Sequence, residues 1–289
     1  MFNAPKSPYL VPFDGSFRVA DAPTKPPRGA PDKKKLKSGL AEMVKDLRDW
    51  QRKLYAEDRR SLLLIFQAMD AAGKDGTIRH VLSGINPAGF QVSSFKRPSE
   101  LELDHDYLWR TTCALPERGR IGVFNRSSYE EVLVVRVHPG ILAGQRIPTP
   151  DPKTIWQERF QSMADLEQHL ARNGTTVLKF WLNVSLMEQK KRFLARIDEA
   201  EKNWKFAEGD VKERAHWPQY MQAYEEALGA TSRAHAPWYA IPADSKPFMR
   251  YTVARIIRDA FEQMAPDFPT VSDERRAELQ AMRGQLEQA

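Results

Sequence analysis

The chain has 289 residues, 42% of them hydrophobic and 28% charged, with a formal net charge of +6. This is the composition of a soluble globular protein with enough chain for one large α/β domain or two small ones. No apolar run approaches the ~20 residues of a membrane span, the N-terminus lacks the basic-then-apolar order of a secretory signal, and the single cysteine, Cys113, excludes an internal disulfide and a cysteine-rich metal site. These features fit a cytoplasmic protein. The positive balance suits an anionic partner, whether nucleic acid, acidic lipid or polyphosphate. It suits equally an ordinary, mildly basic protein without one.

Residues 1–31 carry Pro5, Pro8, Pro12, Pro23, Pro26, Pro27 and Pro31. This predicts an extended arm, laid over the domain by Tyr9, Leu10, Phe13 and Phe17. Beyond Lys33-Lys34-Lys35, the residues Leu36, Leu40, Met43, Leu47, Trp50 and Leu54 alternate by four and three and form the apolar stripe of a helix. The lysines fit a solvated helix start or a face turned to an anion.

The run Leu62-Leu63-Leu64-Ile65-Phe66 predicts a strand buried on both faces. It leads into a small-residue loop ending in Gly73-Lys74, after which a helix is predicted through Thr77, Ile78 and Val81. Strand, glycine loop with lysine, and helix form the layout of a phosphate-binding P-loop. The helix-start N–H groups and the lysine meet the anion. Ala71, Ala72, Gly73, Lys74, Asp75 and Gly76 are the candidate cradle. Ala68 stands where the first glycine of that pattern belongs, and Asp75 where a hydroxyl normally holds magnesium. Asp70, inside the loop, would repel phosphate unless a divalent cation sat between them, so Asp70 is a candidate metal ligand. A Gly/Asp-rich turn after a core strand is the alternative reading.

Asn86-Pro87-Ala88-Gly89 breaks the chain, residues 90–95 predict a second strand, and Ser99 with Glu102 forms a capping box. Tyr107 and Trp109 read as packing residues. Residues 120–126 are a short apolar strand ending in polar residues, as a Walker B strand does. Asn125 stands where such a strand usually ends in Asp, and a neutral amide there would orient water or phosphate. Glu130, on the following helix, is a candidate for the missing carboxylate. Arg126 lies at the strand's C-terminal end, where ligands gather in open α/β sheets. A plain surface loop is the alternative for all three.

Residues 139–152 read as a mobile connection, followed by a helix through Leu170 and a β-prone run over 175–184. Ser185 and Glu188 predict a capping box opening a basic helix. On it Arg192 and Arg196 are neighbours on one exposed face, suited to bidentate phosphate contacts, with Phe193, Ile197 and Ala200 packing behind. A solvated helix face is the alternative. Residues 210–230 predict one helix with Trp217, Tyr220, Met221 and Tyr224 in the core. Residues 235–242 predict a short strand, Met249 to Phe261 a striped helix, and the stretch from Ser272 a weakly apolar helix that frays or meets a partner chain.

Four blocks in order, AMDAAGKDGTIRHVLSGINPAGFQVSSFKRPS, GRIGVFNRSSYEEVLVVRVHP, KFWLNVSLMEQKKRFLARIDEAEKNWKF and APWYAIPADSKPFMRY, resemble the second polyphosphate-kinase family. The likeness runs from about residue 8 to residue 264 and is to the branch that phosphorylates nucleoside mono- and diphosphates. It implies an α/β, P-loop kinase-like, three-layer α/β/α fold with a parallel central sheet. The domain would span 32–270 with a helical lid at about 185–230, between the arm 1–31 and a helical tail 271–289.

The resemblance further implies inorganic polyphosphate and AMP, ADP or ATP as substrates, with guanine nucleotides as alternatives. Magnesium would be the cofactor, with manganese as a substitute. Neither nucleic acid nor membrane would be a partner, and the chain would form a dimer or tetramer. Residue by residue, Asp70 and Lys74 match the family's first motif, and Asn125 and Arg126 its second. Arg196 and Arg192 match its lid arginines, and Arg136 a further basic residue of the phosphate channel. Asp70, Lys74, Arg126 and Arg196 would then be catalytic, with Asp70 and Glu130 toward the metal. Asn125 replaces the aspartate of ADP-specialised branches, and with Glu130-Glu131 after Tyr129 it resembles the AMP-accepting branch. Two rivals are an ATP-dependent nucleoside monophosphate kinase and a non-catalytic polyanion-binding P-loop module. The aromatics fall on apolar stripes rather than between basic residues, which counts against the second.

Overall fold

The computed structural model describes residues 2–148 and 150–288, without the Lys205 side chain. The first half runs α1 (Lys33–Glu57), β1 (Ser61–Gln67), α2 (Lys74–Val81), β2 (Phe90–Ser94), α3 (Glu100–Leu103), α4 (Trp109–Thr112), β3 (Ile121–Asn125), α5 (Glu130–Val137) and α6 (Ile141–Gly144). The second runs α7 (Ile155–Arg172), β4 (Thr175–Asn183), α8 (Leu186–Asp198), α9 (Glu208–Arg214), α10 (Trp217–Thr231), β5 (Trp238–Pro242), α11 (Lys246–Met264) and α12 (Asp273–Gln288).

The five strands form one parallel sheet in the order β2-β3-β1-β4-β5. β1, β4 and β5 are buried along their whole length, as their largely apolar runs require when helices cover both faces. The β1-to-β2 and β3-to-β4 crossovers run in opposite directions along the sheet, so right-handed connections place their helices on opposite faces. Accordingly α1 and α2 pack with α11, while α5, α7 and α10 pack together. β1 lies at the centre, where the strand order reverses. This puts the loop after it at the crevice where ligands bind in such sheets.

The arm covers the β5 edge. Val11 N donates to Trp238 O at 2.9 Å and Ala240 N to Tyr9 O at 2.8 Å, and Tyr239 Oη donates to Pro5 O at 2.9 Å. An edge strand with bare backbone groups invites pairing with other chains, and the arm blocks it. Tyr9, Val11 and Phe17 are buried, whereas Phe13, expected to anchor the arm, is 41% exposed.

Three further expectations are corrected. The helix expected over 210–230 is broken into α9 and α10, with Pro218 in the first turn of α10. A proline is tolerated there but would break a continuous helix by removing a hydrogen bond and clashing with the preceding turn. The Ser99–Glu102 box is complete, but the Ser185 box is half formed. Ser185 Oγ accepts from Glu188 N at 3.1 Å, while Ser185 N donates to Asp244 Oδ1 at 2.7 Å and the Glu188 carboxylate turns to Arg192. Ile197, expected to pack behind α8, is exposed. Among the described residues no helix is long and apolar enough to cross a membrane.

One polar group lies where the sequence pattern shows only a buried strand. Lys179, in the middle of β4, is fully buried. Its Nζ donates to a Glu167 carboxylate oxygen, to Tyr129 Oη at 3.0 Å and to Thr231 O at 2.9 Å. Burial brings the lysine pKa down to about 8 and pushes the Glu167 carboxyl up, each opposed by the other's charge. Lys179→Met would leave Glu167 buried with only the Tyr129 hydroxyl, at an expected cost of about 3–5 kcal/mol in urea unfolding. Adding Glu167→Leu should recover most of that loss, because two apolar side chains leave no charge to desolvate. An equal loss in the single and double variants would place the cost in packing instead.

Candidate active site

The chain leaves β1 at Gln67 and reaches α2 seven residues later through two left-handed positions, Ala71 (φ +61°) and Gly73 (φ +109°). A side chain at Gly73 would be strained by that φ and would also bring a Cβ within 3.2 Å of Met249 Cε. The turn aims the start of α2 into the crevice. The first-turn N–H groups of a helix have no intrahelical acceptor and carry the positive end of its dipole. Thr77, two residues past the expected hydroxyl position, returns its Oγ1 to Gly73 O at 3.0 Å and is fully buried. Lys74 Nζ donates to Ala68 O at 2.7 Å. Burial and the nearby Arg126 lower its pKa, with Asp70, Glu130 and Asp75 opposing.

β3 ends beside this loop, because the register pairs Phe66 with Asn125. Arg126 N donates to Phe66 O at 3.0 Å, and the backbone then turns through a left-handed φ of +66° at Arg126. Such a conformation in a side-chain-bearing residue is held by its surroundings. The Arg126 guanidinium reaches Asp70 Oδ1 at 2.9 Å and Glu130 Oε2 at 3.4 Å. These carboxylates raise its basicity, Glu130 the more strongly, while burial opposes them. Burial pushes the Glu130 carboxyl up, against the pull of Arg126 and Lys74. Asn125 Nδ2 donates to Asp75 Oδ1 at 2.6 Å.

The loop, the β3 end, α8 and α11 enclose a cleft of about 800 Å³. Ten lysines and arginines line it against two aspartates, Asp70 and Asp75. Such a wall of one sign focuses the field on an anion. Behind Asp70 and Arg126 lies a chamber of about 190 Å³ walled by Met69, Leu133, Val134, Tyr220 and Tyr224. Glu213 closes it, its Oε2 accepting from Tyr220 Oη at 2.6 Å and facing His138 Nε2 at 2.9 Å.

The structure brings Asp70, the loop 71–76, Asn125, Arg126, Arg192 and Arg196 to one cleft. Glu130 stands behind Arg126 and lines the chamber instead. Arg136 lines neither. It pairs with Glu226 and lies 5.7 Å from the Trp156 ring centre, so its expected place in the phosphate channel is not where the fold puts it. Arg196 pairs with Asp210 at 3.2 Å on α9 and lies over Phe193.

Arg192 differs most from the exposed stripe expected of it. It is buried and all five of its N–H donors are engaged. Nε meets Glu188 Oε1 at 2.9 Å. Nη1 donates to Ala71 O and Ala72 O at 3.1 and 2.6 Å, and Nη2 to Ala243 O and Asp244 O at 2.7 and 3.2 Å. It ties the phosphate-loop candidate to the β5–α11 connection.

Sequence reasoning missed Arg79, Lys96, Arg97, Lys246 and Arg250, all lining the cleft. Two signals were present. Lys96-Arg97 directly follow β2 at its C-terminal end, and Lys246 and Arg250 are four apart at the start of the helix after β5. Among the described residues no three His, Cys, Asp or Glu converge as a metal cage. Asp70, one oxygen on Arg126 and its side chain 32% exposed, suits a hard cation that binds through one or two carboxylates and takes its other ligands from phosphates and water.

Comparison with known proteins bears on what this cleft serves. Residues 30–269 match the family model described as Polyphosphate kinase 2 (PPK2). An ADP-polyphosphate phosphotransferase from Rhodopseudomonas palustris is 57% identical over 86% of each chain. An AMP/ADP-polyphosphate phosphotransferase from Meiothermus ruber is 44% identical over 80% of this chain and 82% of its own. The crystal structure of polyphosphate kinase 2 from Arthrobacter aurescens TC1 superposes with a TM-score of 0.88 at 37% identity, covering 100% of this chain and 99% of that one.

Replacing Arg192 by Lys should loosen the loop while leaving the sheet intact, because one ammonium cannot reach four carbonyls in two segments. Losing two or more charge-assisted bonds of roughly 1.5–3 kcal/mol each should speed hydrogen exchange of the amides of residues 70–76 by about tenfold or more. Unchanged exchange would show that β1 and α2 hold the loop by themselves.

Proposed function

The chain belongs to the polyphosphate kinase 2 family, and we propose that its cationic cleft is where it moves a phosphoryl group between inorganic polyphosphate and AMP or ADP. The enzyme is a polyphosphate:AMP/ADP phosphotransferase, forming ADP and ATP. The observation that carries the assignment of the site is the meeting of Asp70, Lys74 and Arg126 in a cleft lined by ten cationic side chains, theirs included.

Polyphosphate lies along the cleft between Arg79, Lys96 and Arg97 on one side and Lys246 and Arg250 on the other. The nucleotide enters from the side of the small chamber, its base against Tyr220 and Tyr224 and its phosphate toward Arg126. The terminal oxygen of the acceptor phosphate carries negative charge near neutral pH, where the second phosphate pKa is about 6. It therefore attacks without a general base. A new P–O bond forms to the terminal phosphorus of the polymer, the adjoining anhydride P–O bond breaks, and its electron pair leaves on the shortened polymer. One phosphoanhydride is made for one broken, so the reaction runs both ways.

Catalysis in such a transfer is positioning plus neutralisation of charge spread over the equatorial oxygens. Lys74 and the first N–H groups of α2 hold the transferred group. Arg126, oriented by Asp70 and Glu130, faces it from the β3 end. Arg196 exchanges Asp210 for phosphate as the segment 186–214 closes, and closure excludes water as a competing acceptor. Asp70 would hold magnesium, or manganese in its place, and the ion when bound screens the repulsion of two phosphate chains. Glu130 supports that site through Arg126. Asn125 fixes Asp75 away from the phosphates. We further propose that the enzyme works in the cytoplasm as a homo-oligomer. The unburied Leu279, Met282 and Leu286 of α12 support the second point.

Incubating the protein with AMP, magnesium and polyphosphate, without ATP, should yield ADP and then ATP by nucleotide chromatography. Lys74→Ala and Arg126→Ala should each lower turnover by about 10²-fold or more, and chelation of divalent ions should stop it. Retained turnover in a folded Lys74→Ala enzyme would remove the site from the loop after β1.

A further inference from the structure

At the opposite end of the sheet lies a second cavity of about 660 Å³, comparable in size to the catalytic cleft. It opens where β1 and β4 begin and where α7 and α11 end. None of its lining residues has a part in the transfer described above. Its charged side chains are Arg60 and Arg172, joined by His235 and by the amides of Gln168 and Gln263, and no carboxylate lines it. Phe2 and Met264 supply an apolar wall. A concave site of several hundred Å³ with a few convergent polar groups on an apolar wall is the usual form of a small-molecule site.

The polar groups divide into two kinds. Arg60 is spent on the fold, paired with Glu57 and donating to Met264 O. Arg172 and His235 make no hydrogen bond or ion pair within the described residues, and His235 Nε2 is buried with no partner. A buried nitrogen left without a partner costs about 1–3 kcal/mol and asks for an explanation. His235 is nonetheless held in place, because its turn is pinned by Arg233 and Ala236, which exchange backbone bonds of 3.3 and 3.0 Å. Nor does α7 turn bare carbonyls on the cavity. Asn173 N donates to His169 O and Leu170 O, Gly174 N to Ala171 O, and Asn173 Nδ2 again to His169 O. Burial, with Lys179, Arg233 and Arg172, lowers the His235 pKa. An anion between Arg172 and His235 would balance the Arg172 charge and accept a hydrogen bond from the imidazole.

We propose that this cavity is a second binding site for a phosphate monoester of nucleotide size, its phosphate held by Arg172 and His235 and its apolar body against Phe2 and Met264. Arg172 is exposed, so its replacement leaves the core untouched. Equilibrium dialysis against radiolabelled AMP, without polyphosphate, compares the wild-type enzyme with Arg172→Glu and His235→Gln. Each variant should bind one AMP fewer per chain while keeping turnover within about twofold of wild type. Unlabelled adenosine should not displace the AMP that depends on Arg172, whereas inorganic phosphate should. Equal AMP stoichiometry in wild type and both variants overturns the proposal, as does displacement by adenosine as effective as that by AMP. Turnover measured on the same preparations reports separately on the transfer site.

Discussion

One guanidinium fixes the shape of the loop between β1 and α2. Arg192 binds four carbonyls in two segments, residues 71–72 after β1 and 243–244 after β5. Those carbonyls would otherwise point their negative ends into a phosphate site. Capped by Arg192, all four have a cationic donor. The left-handed turn at Ala71 costs conformational energy, and the buried clamp offsets it. Lys74, Asp70 and the α2 dipole therefore keep a common target because an arginine on a distant helix closes the back of the loop.

The cleft is held against its own charge. Burial, with Arg192 and Arg250, lowers the basicity of Lys246, and burial, with Arg79 and Arg192, does the same to Arg250. Like charges brought this close destabilise the free protein, and that cost is recovered when a polyanion enters. The three pairs Arg126–Asp70, Arg126–Glu130 and Arg196–Asp210 offset part of that repulsion in the free protein. Among the described residues Arg79, Lys96, Arg97, Lys246 and Arg250 form no such ion pair, so their attraction for an anion is open to screening by salt.

Much of this was legible in the chain. All five strands follow from local apolar runs and turn residues, and the glycine loop with Lys74 marked the phosphate end of β1. The strand order was not legible from periodicity, because it depends on pairings such as Phe66 with Asn125 and Phe180 between residues far apart in sequence. Without that order Lys96, Arg97, Lys246 and Arg250 read as loop and helix-start charges, since nothing local says that their strands end at one edge. Arg192 was misplaced for a related reason. Helical spacing says which residues share a face, not what that face meets, and here it meets loop carbonyls. Lys179 was hidden because one lysine does not disturb a run of β-prone residues, and its partners Glu167 and Thr231 come from two separate helices.

The arm that covers β5 joins residues at opposite ends of the chain. Tyr239 and Pro5 are 234 positions apart, so a segment synthesised well before β5 is among the last to find its place. Until β5 has been synthesised and docked, residues 5–17 have no edge to pair with, and until they pair, β5 presents bare backbone to neighbouring nascent chains. The final step of folding is in this sense a hem, stitched after the cloth is cut. A bulky fusion placed ahead of residue 2 would act on that late step, and on aggregation during synthesis, while leaving the cleft end of the sheet in order.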